Sequence, residues 1–186
     1  MKSKYNPEKH HRRSIRLKGY DYSSNGAYYV TFVTQGREHF HGKIINKEMI
    51  LNDAGQMIVK WWNEIPNKFP NVVLGASVVM PNHFHCIIYI VGADLRVRPL
   101  DLRVRPNDET PKSSLSQIVQ WFKTMTTNEY IRGVKQLEWK PFSGKLWQRD
   151  YYEHIIRNER ELKQKTDYIL DNPSRWDDDR EGQFNQ

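Results

Sequence analysis

The strongest constraint on the fold lies in residues 78–90, where two apolar runs flank the dipeptide Pro81-Asn82. Apolar, β-branched runs separated by a turn-type dipeptide read as two strands of an antiparallel hairpin. The second run opens with His83-Phe84-His85-Cys86. Strand side chains alternate between faces, so His83 and His85 share one face while Phe84 and Cys86 take the other. Two imidazoles on one face of an apolar strand are expensive to bury without polar partners. Their spacing suits a shared metal ion, with a third ligand to come from elsewhere in the chain. A second pair, His39 and His41, has the same spacing but polar flanks, and reads as a loop or strand end.

Charge points to a class of partner. The 186 residues hold 29 Lys and Arg against 22 Asp and Glu, a formal +7. This balance favours a polyanion, with nucleic acid foremost. Residues 1–20 concentrate the excess: seven Lys or Arg, Arg12, Arg13, Arg16 and Lys18 among them, face one acid, giving a basic arm of +6 suited to gripping phosphates. Cys86 is the single cysteine, which excludes an intramolecular disulfide and a cysteine-based zinc site and fits a cytoplasmic protein. No apolar run approaches membrane-spanning length, and no secretory signal pattern opens the chain.

The remaining chain supplies elements for one domain over residues 21–176, followed by an acidic tail over 177–186. Residues 27–34 read as a strand after the turn cluster Ser23-Ser24-Asn25-Gly26. Asn52 is placed to cap a helix whose apolar residues Ala54, Met57, Ile58, Trp61 and Ile65 recur at helical spacing, with Pro66 as its stop. Residues 71–80 form the first strand of the hairpin. Asp94-Leu95-Arg96-Val97-Arg98-Pro99 is repeated as Asp101-Leu102-Arg103-Val104-Arg105-Pro106, so residues 94–111 read as a lengthened loop. Ser113 or Ser114 caps a helix to about Tyr130, burying Leu115, Ile118, Val119, Phe122 and Met125, with Lys123, Thr124, Thr126 and Thr127 elsewhere on it and placed to contact a nucleic-acid backbone. Residues 139–156 are aromatic and irregular, and their aromatics suit core packing or base stacking. Asn158, with Glu161 three residues on, starts a last helix that Pro173 ends. On it Leu162, Thr166 and Ile169 make the apolar face; Gln164, Tyr168 and Asn172 make a separate polar ridge.

Three ordered motifs carry a resemblance. Met80-Pro81-Asn82-His83-Phe84-His85 resembles the His-hydrophobic-His motif of the HUH single-tyrosine transposases. Trp147-Gln148-Arg149-Asp150-Tyr151-Tyr152-Glu153-His154 and Asp167-Tyr168-Ile169-Leu170-Asp171-Asn172-Pro173 are similar to two C-terminal signatures of the REP-associated tyrosine transposase branch, within the IS200-like superfamily. Arg13-Ser14-Ile15-Arg16-Leu17 with Tyr20-Asp21-Tyr22 resembles its N-terminal pattern. The likeness runs from about Arg12 to Trp176.

The resemblance implies an α+β fold: a ferredoxin-like antiparallel sheet backed by helices, with a C-terminal helix carrying the catalytic tyrosine. It implies a metal-dependent endonuclease and strand transferase for single-stranded, hairpin-forming repeat DNA. In it Tyr168 is the nucleophile and His83, His85 and Asn172 are the ligands of a divalent cation. Two imidazoles and an amide form a neutral, open donor set that suits Mg²⁺ or Mn²⁺. An ordinary phenol ionises near pH ~10, so about 4 kcal/mol separates it from neutral pH, a gap that a nearby cation narrows. DNA contacts are expected from Arg12, Arg13, Arg16, Lys18, Lys123 and Arg149. The expected unit is a monomer, with a homodimer as the alternative. Rival functions are a repeat-binding protein without active transposition and another HUH nuclease such as a replication initiator.

Overall fold

The computed structural model describes residue 22, residues 24–91 and residues 113–176. The basic arm with Arg12, Arg13, Arg16 and Lys18, the duplicated segment 94–106 and the acidic tail lie outside the described residues. Four antiparallel strands make the main sheet: β1 (Gly26–Val33), β4 (Val72–Met80), β5 (His83–Ile90) and β6 (Tyr152–Ile156), in the order β4-β5-β1-β6. With the helices described below it is the α+β architecture that the sequence implied. A small hairpin, β2 (Gly42–Ile45) and β3 (Glu48–Leu51), stands apart. Its two-residue turn puts Asn46 and Lys47 at φ 51° and 66°, the left-handed geometry that tight hairpins require.

Register follows from the tight β4–β5 hairpin. Met80 opposes His83 and Val78 opposes His85; on the other side Val33 opposes His83 and Thr31 opposes His85. Directly opposed residues share a face, so the sheet sorts its side chains cleanly. Tyr28, Val30, Phe32, Phe84, Cys86 and Ile88 face the larger core. There the rings of Phe32 and Phe122 lie 5.0 Å apart and those of Phe84 and Phe122 5.5 Å apart. Truncating such a ring to alanine costs about 3–5 kcal/mol. Strand β4 has an irregularity between Leu74 and Ser77. At Gly75 a Cβ would sit 2.8 Å from the Tyr89 side chain and 2.9 Å from that of Ile87, so only glycine lets the strands close there.

Three helices cover the larger core. Helix α1 (Asp53–Asn63) starts at Asn52, whose side chain accepts from the Gly55 amide. Pro66 does not stop the helical run. It occupies the first turn of α2 (Ile65–Lys68), where its missing N–H is harmless. Trp62 is the buried tryptophan of α1, whereas Trp61 is half-buried and donates to Glu129 at 2.6 Å. Helix α3 (Leu115–Gln136) begins at a full capping box of Ser114 with Gln117 and runs six residues past Tyr130. Its buried face continues through Thr126, Tyr130 and Gly133, while Met125 is half-buried. Thr126, expected to face a ligand, is instead buried and accepts from the Trp147 indole at 2.9 Å. The opposite sheet face is covered by α4 (Glu159–Asp171), which packs on β4 and β5. Asn158 caps it by accepting from the Glu161 amide. Glu161 reaches back one residue further than expected, to the Arg157 amide at 2.9 Å.

Candidate active site

The second sheet face, under α4, gathers the chemistry. His83 and His85 open β5, are 2% and 0% exposed, and hold their rings 4.5 Å apart. Burial, the dominant cause, pulls the His83 pKa down to about 3 and that of His85 well below its ordinary value. Both rings are therefore neutral at pH 7, with one nitrogen lone pair each available as a ligand.

Neighbouring side chains bear on which nitrogen that is, and for His83 they assign it. His83 Nδ1 lies 2.7 Å from Asn82 Oδ1. The Asn82 amide is oriented by its Nδ2, which donates to the Arg37 carbonyl at 3.3 Å. An amide oxygen only accepts, so the proton of His83 is on Nδ1 and the lone pair on Nε2. His85 Nδ1 lies 2.8 Å from the Tyr29 hydroxyl and 2.8 Å from the Thr31 hydroxyl. Either oxygen can accept from an Nδ1–H, and with the proton there the lone pair is on Nε2.

Helix α4 brings Tyr168 and, at its C-cap, Asn172 over these rings. The Tyr168 ring is 5.4 Å from that of His85 and 6.4 Å from that of Tyr29. Tyr168 packs with Leu162 and Ile169 on the helix's inward face rather than on a separate ridge, and Gln164 is exposed. Asn172 is fully buried. It is near enough to His83 to oppose the fall in that ring's pKa, yet neither of its amide atoms makes a hydrogen bond of ordinary length among the described residues. A buried amide in that condition costs about 1–3 kcal/mol. It becomes intelligible if Oδ1 is reserved for a cation. No cluster of three His, Cys, Asp or Glu occurs among the described residues, so a divalent ion here depends on the amide as third donor. The donor set of His83, His85 and Asn172 fits such an ion.

Three more residues frame the site. Lys165, one turn before Tyr168, holds its ammonium 4.7 Å from the Tyr29 ring centroid, and burial lowers its pKa. Trp176, just past the helix, stacks on His83 with centroids 6.0 Å apart and also meets His39. His41 is fully buried, with Nδ1 bound to the Met80 carbonyl at 3.0 Å. Its ring lies against Trp147 on the larger-core side, so His41 braces the histidine hairpin through Met80. Cys86 points into the larger core.

Of the residues singled out in the sequence, the structure brings His83, His85, Tyr168 and Asn172 into one cluster within one chain. Lys123 and Arg149 lie elsewhere, on the far side of the sheet. The Lys123 ammonium is engaged by the carbonyls of Gln148, Arg149 and Asp150 at 2.9, 3.3 and 3.3 Å. Arg149 is exposed. Sequence reading missed Tyr29, Thr31, Asn82, Lys165 and Trp176. Asn82 was adjacent to the motif in plain view. Tyr29 and Thr31 share a strand face, but only the β1–β5 register shows that it is the face of His85.

No protein-family model matches the chain. Over 183 residues it is 40% identical to a Haemophilus influenzae protein described as uncharacterized, a match covering 96% of this chain and 97% of that one. The two proteins belong to one family. Among solved structures, the REP-associated tyrosine transposase bound to a REP hairpin superposes with a TM-score of 0.59 at 19% identity, over 89% of this chain and 74% of that one. The family therefore has the fold of a REP-associated tyrosine transposase, in agreement with the motifs. No helix among the described residues is long and apolar enough to cross a membrane.

Proposed function

We propose that the protein is a metal-dependent single-stranded DNA nicking and joining enzyme that works at or near hairpin-forming repeats. The observation that carries this reading is the convergence of Tyr168, His83, His85 and the buried Asn172 amide in one chain. The hairpin substrate is carried over from the fold neighbour, which was solved with a REP hairpin.

In this reading the Tyr168 hydroxyl oxygen attacks a backbone phosphorus. The new bond is O–P to tyrosine; the bond that breaks is P–O3′. The phenol loses its proton and the departing 3′ oxygen gains one, leaving a 5′-phosphotyrosine and a free 3′-hydroxyl. Because the phosphodiester energy stays in the covalent link, a second 3′-hydroxyl can attack the same phosphorus and restore tyrosine while joining new ends. His83, His85 and Asn172 would hold Mg²⁺ or Mn²⁺, which supplies charge neutralisation at the phosphate. Asn82 keeps His83 in the ligating tautomer, and Tyr29 and Thr31 offer acceptors to Nδ1–H of His85 in the tautomer that leaves Nε2 for the ion. Lys165 adds a fixed positive charge beside the nucleophile, and its ammonium is suited to a phosphate oxygen.

The test is incubation with labelled single-stranded DNA carrying a hairpin repeat, with Mn²⁺ or with EDTA, read on a denaturing protein gel. A labelled covalent adduct is expected with Mn²⁺ alone, lost in Tyr168→Phe and in His83→Ala and reduced in Lys165→Gln. DNA binding without any adduct would refute the nuclease and leave a repeat-binding protein.

A further inference from the structure

The hairpin of β2 and β3 leaves one of its faces uncovered. Lys43, Ile45, Glu48 and Ile50 are all exposed, Ile45 and Ile50 by 42% and 46%. The alternate residues Ile44, Met49 and Leu51 are half-buried, and Leu51 packs on the larger core. The other exposed large apolar side chains among the described residues, Val59, Val73, Ile131, Leu137 and Leu170, are spread over α1, β4, α4 and the C-terminal end of α3. Single apolar residues are normal on a surface; two on one face of so short a strand pair make a patch.

Register sets the pattern of that patch. Lys43 opposes Ile50, and Ile45 opposes Glu48. Opposed residues share a face, and so do residues two apart along a strand. The four side chains therefore stand at the corners of a near-square, about 5 Å across the strands and about 7 Å along them. The isoleucines hold one diagonal and the two charges the other. Two copies packed through this face are related by a two-fold axis lying in it. With the axis along or across the strands, isoleucine meets charge. With the axis on the charged diagonal, Lys43 meets Lys43 and Glu48 meets Glu48. With the axis on the isoleucine diagonal, each isoleucine meets its own copy, and Lys43 of each chain meets Glu48 of the other. In that arrangement the face is complementary to itself.

The hairpin is held firmly enough to present this pattern. Asn52, which follows β3, donates from its side chain to the Phe40 carbonyl at 3.0 Å and from its amide to the His41 carbonyl at 3.2 Å. Strand β3 also packs against Pro173–Arg175, the turn after the candidate ligand Asn172. The exposed face is thus tied to the end of α4.

We propose that this face is a docking surface for a second copy of the chain, paired across a two-fold axis that runs through Ile45 and Ile50. Four side chains from each copy bury less than the about 1,000 Å² of a stable interface, so the pair is weak and the monomer is its dilute form. The pairing rests on the hairpin alone and not on the DNA reading.

Sedimentation equilibrium of the full chain, without DNA or metal, is expected to show reversible dimerisation that grows with concentration. Lys43→Glu turns both cross-axis pairs into acid against acid, and Glu48→Lys turns both into cation against cation. Each is expected to weaken dimerisation about tenfold or more. Combining the two in one chain should restore it. Mixing the two single variants should also restore it, as a heterodimer, because the acids of one then face the cations of the other. Under mild oxidation Ile45→Cys should give a disulfide-linked dimer, since residue 45 meets its own copy, whereas Val59→Cys, on the exposed surface of α1, should not; Cys86 is buried and stays out of the reaction. A monomer at every concentration would overturn the proposal. So would undiminished dimerisation in the single variants, failure of their mixture to associate, or equal cross-linking at positions 45 and 59. Absence of a covalent DNA adduct in the wild-type protein would refute the nuclease and leave the pairing standing.

Discussion

The two hydroxyls on His85 make a prediction whose sign differs from simple addition. Tyr29 and Thr31 are each 4% exposed and each place a hydroxyl 2.8 Å from His85 Nδ1. With the proton on Nδ1, the ring donates to only one of them. Removing one, by Tyr29→Phe or Thr31→Val, leaves the other as acceptor, so each single change loses one ordinary hydrogen bond, about 0.5–1.5 kcal/mol. Removing both takes away both hydroxyls at once. A buried Nδ1–H without an acceptor costs about 1–3 kcal/mol more. If the proton moves to Nε2 instead, the lone pair leaves the nitrogen proposed to ligate. The double variant is therefore expected to be destabilised by about 1–3 kcal/mol beyond the sum of the singles, in urea unfolding without metal. Its Mn²⁺ affinity, read by calorimetry, should fall by about 10–100-fold, the usual effect of losing the support of a ligand, while each single variant stays near wild type. A strictly additive cycle would show that the two hydroxyls act independently and that the tautomer argument is wrong.

Other perturbations follow from single contacts. Gly133→Ala puts a Cβ 2.3 Å from the Trp139 ring; helix propensity would gain about 1 kcal/mol, but overpacking costs about 1–3 kcal/mol, so chemical denaturation should show net destabilisation, and a more stable variant would refute the packing. Burial lowers the Lys123 pKa from 10.5 to about 8. Between those values the unfolded chain binds the extra proton, so this residue makes the unfolding free energy rise as pH rises from about 8 to 10.5; Lys123→Met should flatten that rise relative to wild type in urea melts across the window. Asn172→Asp buries a carboxylate in place of an amide; it should lower the melting temperature in EDTA and enlarge the upward shift given by Mn²⁺, and an unchanged shift would remove residue 172 from the ligand set.

Much of this was legible because it is local. The Pro81-Asn82 break and the alternation after it fix the faces of His83, Phe84, His85 and Cys86 from sequence alone, and Asn52, Ser114 and Asn158 each cap the helix they precede. What failed was longer in range or finer in angle. Pro66 is tolerated because a new helix begins there, a distinction set by how α2 meets β4 rather than by the dipeptide. Tyr168 and the Leu162–Ile169 face are adjacent on a helical wheel, and a helix lying across a sheet buries a wider arc than apolar spacing reveals. Lys123 read as a phosphate contact because nothing in the sequence says that residues 148–150 turn their carbonyls onto it. The partners of His85 needed the β1–β5 register, which no local signal specifies.

The two faces of the sheet are unequal, and this bears on how the site is assembled. The larger core holds the aromatic stack of Phe32, Phe84 and Phe122 and is covered by α1, α2 and α3. Under α4 the cluster is small, and Ile169 is the one fully buried apolar side chain that the helix contributes. Full burial of such a side chain is worth about 1.5–3 kcal/mol, so the docking of α4 is a low-stability unit that opens more readily than the sheet. The proposed ligands straddle that interface, with His83 and His85 on β5 and Asn172 at the end of α4. An ion that binds all three binds only the docked state, and at 100 times its dissociation constant it stabilises that state by about 2.7 kcal/mol, or about 100-fold in the opening equilibrium. Amide hydrogen exchange in α4 should therefore slow by up to that factor with Mn²⁺, while exchange at the centre of β1 changes far less. In Asn172→Ala the protection of α4 should vanish even where Mn²⁺ still binds the two histidines. Equal protection of α4 in wild type and Asn172→Ala would mean that the ion does not bridge helix and sheet, and that Tyr168, the proposed nucleophile, is held in place by packing alone.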